Sequence, residues 1–266
     1  MRDRKGLTLI EVLITTAVLA VLLAVVFPAF QSSRDSSRSV LCGANLKQIW
    51  LATEVYEQDH RFFPQGFCCL PECTRSAPPQ GFAGKPVYDR PGWWWFDFLG
   101  IEDRSAKGIL WCPSRRPMTG PLRENVLWCN YAINYSIAKW ASDSARGEFL
   151  GPPLTKIQIL RPAETLLYSD SGYGLLSWKA AAGIPNPFDN NPTRDDSFYL
   201  PGLKLNQNRP IHPDQQTDAL AGRHRRASVS LAYVDGHVGT EKAERFTVRT
   251  DEKGAPTPPY FWTGGR

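Results

Sequence analysis

Apolar residues run from Leu7 to Phe30 as LTLIEVLITTAVLAVLLAVVFPAF, 24 positions in which Glu11 is the only ionisable group. Val12 to Phe30 alone supplies 19 uncharged residues, long enough to cross a bilayer as a helix. The pattern then changes: QSSRDSSRS at 31–39 is polar but free of Pro and Gly, so the helix continues as a solvated stalk. Cys42, Leu46, Ile49, Ala52 and Tyr56 follow at steps of three and four, the stripe of an amphipathic helix. That helix should stop by Phe63, ahead of Pro64. The pattern thus predicts one helix from Leu7 to about Asp59, roughly 80 Å long at 1.5 Å per residue. Half of it would lie in lipid and half on a globular head, with Gly43 as its weak point.

Further along, the period shortens to two. ASVSLAYVDGHVGT (227–240) reads as a strand, a tight Asp235-Gly236 turn and a second short strand. Asp-Gly favours a hairpin because both central residues can take positive φ. The turn accounts for Asp235 and Gly236 without any chemistry; the functional alternative is a metal or acid/base site made of His224, Asp235 and His237. QILRPAETLLYSDSG offers another strand, Thr165 to Tyr168, ending at Asp170. The expected fold class is α+β: a long N-terminal helix, membrane half plus amphipathic half, packed on a mostly antiparallel sheet in a loop-rich head. The segments are a leader (1–6), a transmembrane helix (7–30), a helical stalk (31–63) and the head (64–266).

Charge orients this arrangement. The leader MRDRKG carries Arg2, Arg4 and Lys5 against Asp3, which by the positive-inside rule holds the N-terminus in the cytoplasm. The 236 residues after Phe30 are then expected outside it. A secretory signal peptide is disfavoured, because its apolar region spans roughly 7–15 residues before a small-x-small cleavage site. A plain signal anchor fits the length but leaves Gly6 and Glu11 without a reason. An intramembrane acid costs several kcal/mol, so it has a partner or a task.

RKG, then LTLIE, then about twenty apolar residues resembles the processing and methylation signal of type IV prepilins and of the pseudopilins of type II secretion. That signal has a basic leader ending in glycine, an apolar first mature residue and a glutamate at the fifth mature position. Here these are Gly6, Leu7, where most members have Phe, and Glu11. The resemblance implies that a prepilin peptidase cleaves between Gly6 and Leu7 and methylates the Leu7 amine. It also implies that Glu11 pairs with that amine on a neighbouring subunit, setting axial register. Pro28 falls where pilins carry a helix-bending proline. The alternative for Glu11 is that it snorkels to the cytoplasmic headgroups.

The resemblance extends into the head. CGANLKQIWLATEVYEQDHRFFP is similar to a segment of large pseudopilin-like proteins of planctomycete, verrucomicrobial and related bacteria. ILWCPS (109–114), CNYAINYS (129–136), LRPAETLLYSDSG (160–172) and RHRRASVSLAYVDGHV (223–238) match in the same order. That family often has nine residues between a His and its Asp-Gly; His224 and Asp235 are separated by ten. The function implied is a structural subunit of a type II secretion pseudopilus or type IV pilus-like filament, in the bacterial inner membrane with its head in the periplasm. A head of over 200 residues points to a minor or tip subunit. The implied partners are prepilin peptidase, other pilin or pseudopilin subunits, the membrane, and secreted cargo or the secretion channel.

The remaining features adjust this picture slightly. The formal charge of +5 falls to +3 without the leader, too little to argue for nucleic acid. Cys42, Cys68, Cys69, Cys73, Cys112 and Cys129 are an even number in an extracytoplasmic segment, where disulfides are the default. Fifteen connectivities are open if all six pair. RPGWWWFDFLG (90–100) is either core or, through Trp93, Trp94 and Trp95, a platform for polysaccharide or a protein partner. The core reading leads, because Pro and Gly bracket the run. FDNNPTRDD (188–196) makes Asp189, Asp195 and Asp196 weak calcium candidates; no other metal or cofactor is expected. No G-x-S-x-G, H-E-x-x-H, P-loop or Rossmann pattern occurs, so the expectation is no enzyme. The weakest alternative is a hydrolase using Asp170, His224 or Asp235.

Overall fold

The computed structural model describes residues 8–69, 92–101, 108–115, 130–139, 148–182, 199–249, 251, 255 and 257–265. Helix α1 (Leu9–His60) runs 52 residues without a break, through both Pro28 and Gly43. Thr8 caps its start, and Arg61, in the left-handed conformation at φ 68°, ends it with its N–H on the Glu57 carbonyl. From Leu9 to Gln31 every side chain is exposed. Beyond that, Cys42, Leu46, Ile49, Thr53 and Tyr56 are buried. Thr53, not the predicted Ala52, completes the stripe. A threonine is tolerated there because its Oγ1 donates to the Ile49 carbonyl and lies 2.7 Å from the Tyr168 hydroxyl. Gly43 is no weak point: a Cβ there would meet Val238 Cγ1 at 3.5 Å, so the helix approaches the sheet closely at this residue.

The head is built on a five-stranded sheet. Two strands outside it, β1 (Phe67–Cys69) and β2 (Gly92–Trp94), form a short antiparallel ribbon. The sheet itself contains β3 (Tyr131–Asn134), β4 (Leu166–Asp170), β5 (Leu175–Leu176), β6 (Ser228–Tyr233) and β7 (Val238–Lys242) in the order β5-β3-β4-β6-β7. Every pairing is antiparallel except β3 with β5. This is the α+β, mostly antiparallel arrangement expected. β3 and β4 are buried along their length, as strands covered on both faces must be. The β4 strand starts one residue later than predicted and runs on to Asp170, with a bulge between Leu166 and Tyr168. The second half of α1 packs on β6, β7 and β4.

The Asp-Gly hairpin is present, but its turn differs from the predicted one. Only Gly236 has positive φ, at 90°, while Asp235 does not. Gly236 N–H donates to the Tyr233 carbonyl and Tyr233 N–H to the His237 carbonyl. The connection is therefore a three-residue loop of Val234, Asp235 and Gly236, with glycine at the left-handed position. Three residues rather than two accommodate the register that pairs Ala232 with Val238.

The tryptophan run is core, as the leading reading of its sequence expected, and not the alternative platform. Trp94 and Trp95 are 4% and 0% exposed and Trp93 is half-buried. Trp95 Nε1 donates to the Gly174 carbonyl at 2.7 Å, and its ring packs against Phe96 and Tyr168. Large rings fill the space between ribbon and sheet, so no open three-tryptophan platform exists for polysaccharide.

Candidate functional site

A seam of specific contacts ties α1 to the head, and CGANLKQIW (42–50) supplies most of it. Cys42 is disulfide-bonded to Cys112. Asn45 Nδ2 donates to the Trp111 carbonyl at 3.0 Å, and Lys47 Nζ to the Gly236 carbonyl at 2.7 Å. Trp50 Nε1 donates to the Val234 carbonyl at 3.1 Å. Leu46 and Ile49 are fully buried between these polar ties. One turn further on, Glu54 pairs with Lys156 at 2.7 Å. The hairpin turn therefore sits against the helix, and a Cβ on Gly236 would fall inside the Trp50 indole.

Behind the seam lies a buried ionic cluster. Arg223 Nε donates to both Asp218 oxygens at 3.0 and 2.9 Å, and its Nη atoms donate to the Asn130 and Ser171 carbonyls. The Tyr199 hydroxyl donates to Asp218 Oδ2 at 2.8 Å. Burial would raise the Asp218 carboxyl, but the Arg223 guanidinium outweighs it and holds the group below the usual carboxylate range. Burial, with the Asp218 charge beside it, pushes the Tyr199 phenol up. Asp170, 3.9 Å from Arg223 Nη1, accepts from the Ser230 N–H at 2.7 Å and meets His224 Nε2 at 3.0 Å.

Ser230, His224 and Asp170 thus form a contiguous set that superficially suggests nucleophilic catalysis. The geometry is otherwise. Ser230 Oγ at 3.1 Å and Asp170 Oδ2 at 3.0 Å approach the same nitrogen, Nε2. A relay needs the hydroxyl on one ring nitrogen and the carboxylate on the other. His224 Nδ1 has no hydrogen-bond partner, and all three side chains are buried. Asp235 is not part of the set: on the hairpin turn, its Oδ1 lies 2.6 Å from the exposed His237 Nδ1. The proposed grouping of His224, Asp235 and His237 is therefore split between core and surface. Cys42, Cys112 and His224 do converge, with donor atoms within 4.8 Å of one another. The two sulfurs are bonded to each other, which removes both thiolates as metal ligands. Asp189, Asp195 and Asp196 lie outside the described residues.

The second functional region is the start of α1. Glu11 Oε2 accepts from both the N–H and the hydroxyl of Thr8 at 2.8 Å, while Thr8 Oγ1 accepts from Glu11 N–H at 3.4 Å. This is a capping box, and its T-x-x-E signature stands in the sequence as Thr8-Leu9-Ile10-Glu11. Sequence reasoning assigned Glu11 a charge partner and missed this local one. From here to Phe30 the helix is an apolar cylinder, long and apolar enough to cross a membrane. Pro28 lies inside it, leaving the Ala24 carbonyl without its helical N–H partner.

A family model described as the prokaryotic N-terminal methylation motif matches residues 1–27. The chain carries a type IV prepilin-like signal. No curated protein and no solved structure matches the chain significantly. The prepilin-like signal implies processing by a prepilin peptidase; Gly6 and Leu7, the expected cleavage point, lie outside the described residues. The Glu11 carboxylate is tied to Thr8 at the start of the apolar cylinder.

Proposed function

We propose that the chain is a structural subunit, minor or tip-located, of a type II secretion pseudopilus or related type IV pilus-like filament. The prepilin peptidase frees Leu7 and methylates it, and the helix then packs against other pilin-type subunits through its apolar surface. One observation carries this reading: from Leu9 to Gln31 every side chain of α1 is exposed among the described residues, yet the helix continues unbroken into a stretch that is bonded to the head. Such a helix transmits its position to the head and leaves its apolar face for other helices or lipid. The N-terminus is cytoplasmic and the head extracytoplasmic, in keeping with the basic leader and the disulfide. The work assigned to the head is contact with neighbouring subunits or cargo rather than catalysis.

Mass spectrometry of the protein from native membranes tests this. The expected N-terminus is N-methyl-Leu7, and Glu11→Ala is expected to be cleaved normally but to be excluded from filaments. An intact leader, in cells where another prepilin is processed, would overturn the reading.

A further inference from the structure

The RHRR tetrapeptide at 223–226 is divided by the fold: Arg223 and His224 point into the core, while Arg225 and Arg226 are exposed. Arg225 Nη1 donates to Ser32 Oγ at 2.6 Å. Ser32 stands two residues beyond Phe30, about 3 Å along the helix axis from the end of the apolar run. Leu9 to Phe30 spans about 33 Å, close to the hydrocarbon thickness of a bilayer. If α1 spans a membrane, this loop therefore lies at the level of the lipid headgroups.

The hairpin has the matching orientation. Its turn meets α1 at Lys47 and Trp50, Val238 meets Gly43, and Ser228 pairs with Lys242 at the opposite, membrane-facing end. Arg34 sits at similar height on the far side of the helix, because two residues turn it by about 200°. Among the described residues no acidic side chain pairs with Arg34, Arg225, Arg226 or Lys242. Asp35 is taken by Arg38, and Glu244 accepts from the Lys204 backbone N–H.

We infer that this end of the head is a docking surface for anionic phospholipid headgroups of the bilayer that α1 crosses, with Arg225 and Arg226 as the principal contacts. The inference rests on the membrane-spanning reading of α1. Before extraction, the surface would seat the head on the membrane and fix its tilt.

The test uses the full-length chain in nanodiscs of phosphatidylcholine alone or with added phosphatidylglycerol. Amide exchange is read over residues 222–228 by mass spectrometry, after flotation establishes insertion in both lipids. Phosphatidylglycerol is expected to slow exchange by about five-fold per arginine engaged, and high salt to reverse this. The double variant Arg225→Glu/Arg226→Glu should lose the lipid dependence. Ser32→Ala should keep it, since a brace to the stalk alone would not distinguish lipids. Equal exchange in the two lipids, with insertion intact, would overturn the docking surface and leave the membrane reading standing. Failure to float would overturn both.

Discussion

Gly236 is constrained twice, by a φ of 90° and by the Trp50 indole lying where a Cβ would go. Gly236→Ala is expected to cost about 2–3 kcal/mol, the left-handed penalty plus displacement of the ring, read by chemical unfolding of the detergent-solubilised chain. Combining it with Trp50→Ala should cost less than the sum of the single changes, because the second removes the clash. The Arg223–Asp218 pair makes a different prediction. The Asp218 carboxyl is depressed below its ordinary value of 3.8. It therefore contributes stability that is present above that value and lost as pH falls through the folded-state pKa. Unfolding curves should show the head weakening below about pH 4. Asp218→Asn should be less stable near neutrality, having broken a buried pair, but should lose less on acidification.

Among the elements, α1 is held by one covalent tie. The Cys42–Cys112 bridge closes a separation of 70 residues, for which loop-entropy arguments give about 4 kcal/mol. Replacing both cysteines by serine should lower the unfolding midpoint accordingly, with the wild type in reductant behaving alike. The helix, the α+β class and the hairpin were legible because each rests on a local period or turn signal. Thr53 was not, because the Tyr168 hydroxyl that satisfies it is 115 residues away in sequence. The ionic cluster was also illegible. The partners of Arg223, namely Asp170, Asp218 and Tyr199 beside it, come from three separate segments, so no local pattern joins them. The capping box at Thr8 and Glu11 was available as T-x-x-E, but it is hidden inside a run whose apolar character dominates.

For the whole molecule, the decisive property is that α1 serves two environments with no overlap between them. From Leu9 to Gln31 no residue is even half-buried, and among the described residues the first tie to the head is the exposed Arg225–Ser32 hydrogen bond. The seam that fixes helix to head begins at Cys42. Protease cutting within the polar stalk at 31–39 should therefore release a head that stays folded, since it forfeits at most about 0.5–1.5 kcal/mol from that single bond. The full chain should remain with membranes after alkaline carbonate extraction, and the released head should not. Matching near-ultraviolet circular dichroism and unfolding midpoints of the two forms would support two independent halves. A released head that unfolds would mean the apolar half stabilises it through contacts absent from this structure, and the filament would then have to supply them.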